Sequence, residues 1–64
     1  MTLKERVKKA VDEHNALELG RCVDFMRFKG GLNYGGCYDL VNKIAPISKP
    51  AFESMMYEAD QEVP

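Results

Sequence analysis

From the first residues the apolar positions fall on one helical face. Leu3, Val7, Ala10 and Val11 recur at i, i+4, i+7 and i+8, and His14 continues the stripe. Thr2-Leu3-Lys4-Glu5 fits a capping box, with Thr2 at the N-cap and Glu5 three residues on. Opposite the stripe, Glu5–Lys9, Lys8–Asp12 and Lys9–Glu13 are i, i+4 pairs of opposite charge. Each adds about 0.2–0.5 kcal/mol to a helix. This pattern predicts a first helix over 3–14, with Asn15 as its stop or as the cap of a second helix.

A second stripe, Leu19, Cys22, Val23 and Met26, predicts a helix over 16–28 that Phe25 and Phe28 widen. Gly20 lies inside it. It weakens the helix by about 1 kcal/mol relative to Ala and marks a place for close helix contact. The first two helices could also run on as one element. Gly30-Gly31 ends the second helix through the left-handed conformation open to glycine. Four of the five glycines fall within 30–36, which predicts an interhelical loop.

Cys37, Leu40, Val41 and Ile44 predict a third helix over 37–45, ended by Pro46. Ile47-Ser48-Lys49 is a short turn. Pro50 suits the first turn of a fourth helix, capped by Ser48 or Lys49. Its apolar face is Phe52, Met55, Met56, Ala59 and Val63. No strand-like alternation persists anywhere. The expected fold is all-α, a small bundle of three or four short helices with a Gly-rich interhelical loop, forming a single domain over 1–64.

Composition narrows the function classes. With 64 residues, 45% hydrophobic and 30% charged, the chain is near the globular average and too short for a two-domain enzyme or a cofactor fold. A core of this size supplies only ~3–5 kcal/mol, so a partner subunit is a common supplement. No apolar leader follows Met1, no run reaches the length of a membrane span, and two cysteines allow one disulfide at most. A reduced, cytoplasmic protein without membrane contact is expected. Nine basic against ten acidic residues give a net charge of -1. Residues 1–31 hold seven basic and five acidic side chains (+2), and residues 32–64 hold two and five (-3). A pI near 5.7 argues against non-specific nucleic-acid binding as the main task, because that affinity comes from phosphate neutralisation.

Candidate chemistry is sparse. The glycine segment lacks the Gly-Lys-Ser/Thr ending and the preceding strand of a phosphate-binding loop. Cys37 stands at an expected helix start, where a thiol can be activated, and His14 is the one available imidazole base. Cys22 and Cys37 read more simply as core thiols, with a disulfide between them as the alternative. The spacings among His14, Cys22 and Cys37 do not match a zinc site. Adjacent acids such as Asp12-Glu13 point to different helix faces. No enzymatic activity, metal or small-molecule cofactor is expected.

Four methionines, three phenylalanines and three tyrosines are many for so short a chain. Methionine and tyrosine recur at adaptable binding surfaces. Phe52, Met55, Met56 and Tyr57, with Tyr34 and Tyr38 as a rim, form the candidate partner-binding surface. The expected role is a non-catalytic protein-binding regulator, inhibitor or accessory subunit, its partner another protein or a further copy. The alternative is a helix-turn-helix DNA-binding regulator using residues 38–60. Lys49 would then read bases while Lys4, Lys8, Arg21 and Arg27 contact the backbone. Acids follow Lys49 along that helix.

Overall fold

A computed structural model describes residues 1–62. Four helices follow one another: α1 (Leu3–Asp12), α2 (Ala16–Phe28), α3 (Tyr34–Ile44) and α4 (Lys49–Glu62). The all-α bundle expected from the sequence is what the chain forms. Val63, assigned to the apolar face of the fourth helix, lies outside the described residues. Among the described residues no helix is long and apolar enough to cross a membrane.

The capping box opens α1 as expected. The Thr2 hydroxyl accepts the Glu5 N–H at 3.2 Å, and Glu5 accepts the Thr2 N–H at 3.1 Å. That hydrogen-bonding holds the Glu5 carboxyl below the usual carboxylate range. The helix ends at Asp12, two residues before the predicted last residue, His14. His14 takes a positive φ of 50°, its N–H donates to the Val11 carbonyl, and the Asn15 N–H donates to the Ala10 carbonyl. These bonds are a Schellman termination with His14 where glycine is usual. His14 therefore leaves the apolar stripe and is exposed, its Nε2 3.2 Å from Glu58 Oε1. Asn15 caps α2 by accepting the Glu18 N–H, so the first two helices are separate.

α2 is the central element and packs against all three others. Its stripe of Leu19, Cys22, Val23 and Met26 is buried, and Val7, Ala10, Val41, Phe52 and Met55 meet it in one core. At Gly20 the two helices α2 and α4 come close together. A Cβ built there would lie 2.8 Å from Ala59 Cβ, nearer than real Cβ atoms approach. On the α1 side, Arg6 Nε donates to Glu18 at 2.8 Å, with a second guanidinium bond at 3.2 Å. The Arg6 bond holds the Glu18 carboxyl below its ordinary range.

The glycine loop is shorter than expected. Only residues 29–33 connect α2 to α3, with Gly31 at a φ of 72° where a side chain would be strained. Asn33 then caps α3, its Oδ1 accepting the Gly36 N–H at 2.7 Å. Tyr34, Gly35 and Gly36 are thereby the first helical turn. Ala45 is extended before Pro46, as the proline requires. The α3–α4 link is held at Ile47, whose N–H donates to Asn42 Oδ1 and whose carbonyl accepts the Tyr38 hydroxyl, both at 2.9 Å. The Ser48 hydroxyl accepts the Ala51 N–H, which starts α4 with Pro50 in its first turn.

Gly20→Val should lower unfolding stability in urea by about 2 kcal/mol, since overpacking at a close crossing outweighs any gain in helix propensity. Adding Ala59→Gly should restore part of it, and an unchanged midpoint for Gly20→Val would contradict the close crossing. Glu18→Gln should cost about 0.5 kcal/mol at neutral pH, as a partly exposed ion pair does. Because the folded-state pKa of Glu18 is lowered, the pair stabilises above the ordinary carboxylate range. The gap between the two proteins should therefore narrow as pH falls below that range, through the lowered folded-state pKa of Glu18.

Candidate binding surface

The residues proposed from sequence as a partner surface separate into inner and outer sets. Phe52 and Met55 are 0% and 1% exposed and belong to the core. Their helical spacing aims them at α2, so they have nothing to offer a partner. Tyr38 is half-buried. Its hydroxyl is engaged by Ile47, and its ring packs on Phe52 with centroids 5.2 Å apart. Tyr34 touches Phe52 from the other side, at 5.5 Å and 57° between planes. Its own outer edge stays exposed, and burial together with the nearby acids Glu53 and Asp60 pushes its hydroxyl pKa up. Met56 is half-buried. With Tyr34 it lines a crevice of about 120 Å³ between α2 and α4, walled by Asp24, Arg27 and Asp60. Of the six residues, only Tyr57 stands well out, 68% exposed.

The largest exposed aromatic surface is elsewhere. Phe28 is 77% exposed and Phe25 is 50% exposed, both on α2. They were expected to widen the buried stripe; Phe28 stands clear of it, and Phe25 borders it half-covered. Phe28 lies opposite the centre of the Leu19–Cys22–Val23–Met26 stripe, and among the described residues no other helix buries it. Phe25 and Phe28 are i, i+3 neighbours and so share one outer face. Arg27 sits over the Phe28 ring, its guanidinium carbon 5.7 Å from the centroid. The signal was present in the sequence. A stripe of four residues at i, i+3, i+4 and i+7 already fills the inward arc of a helix, and both phenylalanines are out of phase with it.

The basic residues of the alternative reading do not make a uniform face. Lys8 shares a shallow depression with Glu5, Asp12 and Glu13. Lys4 and Lys8 are exposed on α1, while Arg21 borders a hollow that also holds Glu13 and the Arg6–Glu18 pair. Arg27 shares the α2–α4 crevice with Asp24 and Asp60. Lys49 begins α4, and Glu53, Glu58, Asp60 and Glu62 come after it, a sequence of charges that phosphates would repel.

Neither cysteine sits at a helix start. The earlier beginning of α3 moves Cys37 into its second turn, where it is 0% exposed and directed at the Val23 carbonyl. Cys22 is likewise fully buried, and both thiols are free. Burial pushes both thiol pKa values up, the opposite of activation. His14 is engaged by Glu58 at the α1–α2 turn, not by Cys37. Among the described residues no group of three His, Cys, Asp or Glu side chains is placed to hold a metal. In native buffer, a thiol-specific dye should therefore label neither cysteine on the timescale at which it labels free cysteine, and both should react after denaturation. Fast labelling of Cys37 in the folded protein would contradict this packing.

The chain matches no protein-family model, and no curated protein and no solved structure is significantly similar to it.

Proposed function

We propose that this protein acts by binding another protein rather than by chemistry of its own, as a small regulator, inhibitor or accessory subunit. The observation that carries the reading is the outward pair Phe25 and Phe28. Two large aromatic side chains on one face of the central helix are left in water although the core has room only for the opposite face. Leaving them exposed forgoes about 1.5–3 kcal/mol of burial for each ring fully covered. Aromatic side chains flanked by arginine are the common anchors of protein interfaces. Tyr34 and Met56, at the mouth of the α2–α4 crevice, and Tyr57 on α4 are secondary contacts on this reading. The buried thiols, the occupied Tyr38 hydroxyl and the mixed charges around the cations support binding over a reactive centre or a phosphate-tracking groove.

The test is a tagged pull-down from native lysate with nuclease present, comparing the wild-type chain with Phe25→Ser/Phe28→Ser. Surface changes of this kind shift stability by only about 0.5 kcal/mol each, so the helical circular dichroism should be retained. A protein, whether a distinct one or, after crosslinking before lysis, an untagged copy of this chain, should co-purify with the wild type and be lost with the variant. Equal recovery by both, or recovery that vanishes with nuclease, would overturn the reading.

A further inference from the structure

α2 and α4 each present one exposed aromatic centre, and their surrounding charges are of opposite sign. Arg21 on α2 and Lys29 at its C-cap flank Phe25 at i−4 and i+4, and Arg27 lies over the Phe28 ring. Asp24 lies beside the two rings, and Glu18, which holds Arg6, lies one turn before Arg21, so the surround of the two rings is net positive. On α4, Tyr57 stands opposite the buried Phe52–Met55–Ala59 stripe, with Glu53 at i−4 and Asp60 at i+3. Among the described residues, Arg6 pairs with Glu18, and His14 contacts Glu58. Apart from Glu18, none of these charges around Phe25, Phe28 or Tyr57 is therefore consumed by an ion pair inside the chain. Arg27 and Asp60 line the same crevice without reaching pairing distance. Each aromatic centre lies on the side of its helix that faces away from the core, so one copy cannot bring its own two patches together.

We propose that the outer face of α2 docks on the outer face of α4 of a second copy of this chain, aromatic on aromatic and cationic rim on anionic rim. This identifies the partner for the binding role proposed above and rests on that reading. Complementary rims steer association and fix its orientation more than they add affinity. With only one or two aromatic anchors on each side, the association belongs to the weak class, with a Kd on the order of 100 μM. Because the two faces differ, the contact is head-to-tail. It does not close on two copies unless the rotation allows it, and mass grows with concentration.

The test is sedimentation velocity over a range from about 10 μM to about 1 mM, at low and high salt. The wild type should exceed its monomer mass of 7.3 kDa at the upper concentrations, with association weakened by salt. Phe28→Ser and Tyr57→Ser should each associate about tenfold more weakly than the wild type or worse, since each loses an interface anchor. Mixing these two variants should restore a dimer and nothing larger, because each retains the face that the other has lost. Glu53→Lys should weaken association without removing an aromatic ring, which guards against an anchor variant that fails to fold. A wild type that stays monomeric throughout overturns the proposal, as does a Tyr57→Ser protein that associates like the wild type. A monomeric wild type whose co-purifying protein is lost on Phe25→Ser/Phe28→Ser overturns only the identity of the partner. A wild type that instead retains nuclease-sensitive nucleic acid and no protein overturns both readings.

Discussion

The contact at Gly20 governs how everything else is arranged. With no Cβ on α2 at this point, Ala59 of α4 moves in to a distance that no side chain would allow. That approach fixes the rotation of α2. Leu19, Cys22, Val23 and Met26 then face the core, while α1 and α3 take the remaining inward arc. Phe25 and Phe28 are left on the side that, among the described residues, no other helix buries. A larger residue at 20 would force α4 away and loosen the packing that makes this side unambiguous.

Phe52 plays a matching role at the other end of the core. It is fully buried and receives the rings of both Tyr34 and Tyr38. The Tyr38 hydroxyl then fixes Ile47 in the link to α4, so one cluster of three rings positions α3, the link and α4 together. Three of the six aromatic side chains are thus committed to structure to differing degrees. The other three, Phe25, Phe28 and Tyr57, are the ones available for binding. They divide between a positively and a negatively rimmed face, which is the physical basis for proposing that the chain recognises a copy of itself.

Much of the fold was legible because local signals agreed with one another. The Thr2–Glu5 box, the cap at Asn15, the block at Pro46 and the close contact at Gly20 all act within a few residues or a single crossing. The errors have local physical causes too. Gly35 and Gly36 have poor helix propensity, so the segment read as loop, whereas the Asn33 side chain satisfies the Gly36 N–H and lets α3 begin three residues sooner. The same shift buries Cys37 and removes it from any activated position. His14 fitted the spacing of α1, but the Schellman bonds at Val11 and Ala10 turn the chain before its side chain reaches the core. The binding surface was the least legible part. Richness in Phe and Met on the fourth helix signalled apolarity without saying which way it faced, and the inward phase of Phe52 and Met55 was set by α2. Phe25 and Phe28 were readable only by asking which apolar residues fall outside an already complete stripe.

The most direct test is nuclear Overhauser spectroscopy on the labelled protein in dilute solution. The helix packing requires a strong cross-peak between the Gly20 α-protons and the Ala59 methyl. It also requires that the Phe28 ring give none to the methyls of Leu19, Val23 or Val41. Absence of the Gly20–Ala59 contact, together with Phe28 ring contacts to those core methyls, would mean that α2 is rotated and that the outward aromatic face does not exist.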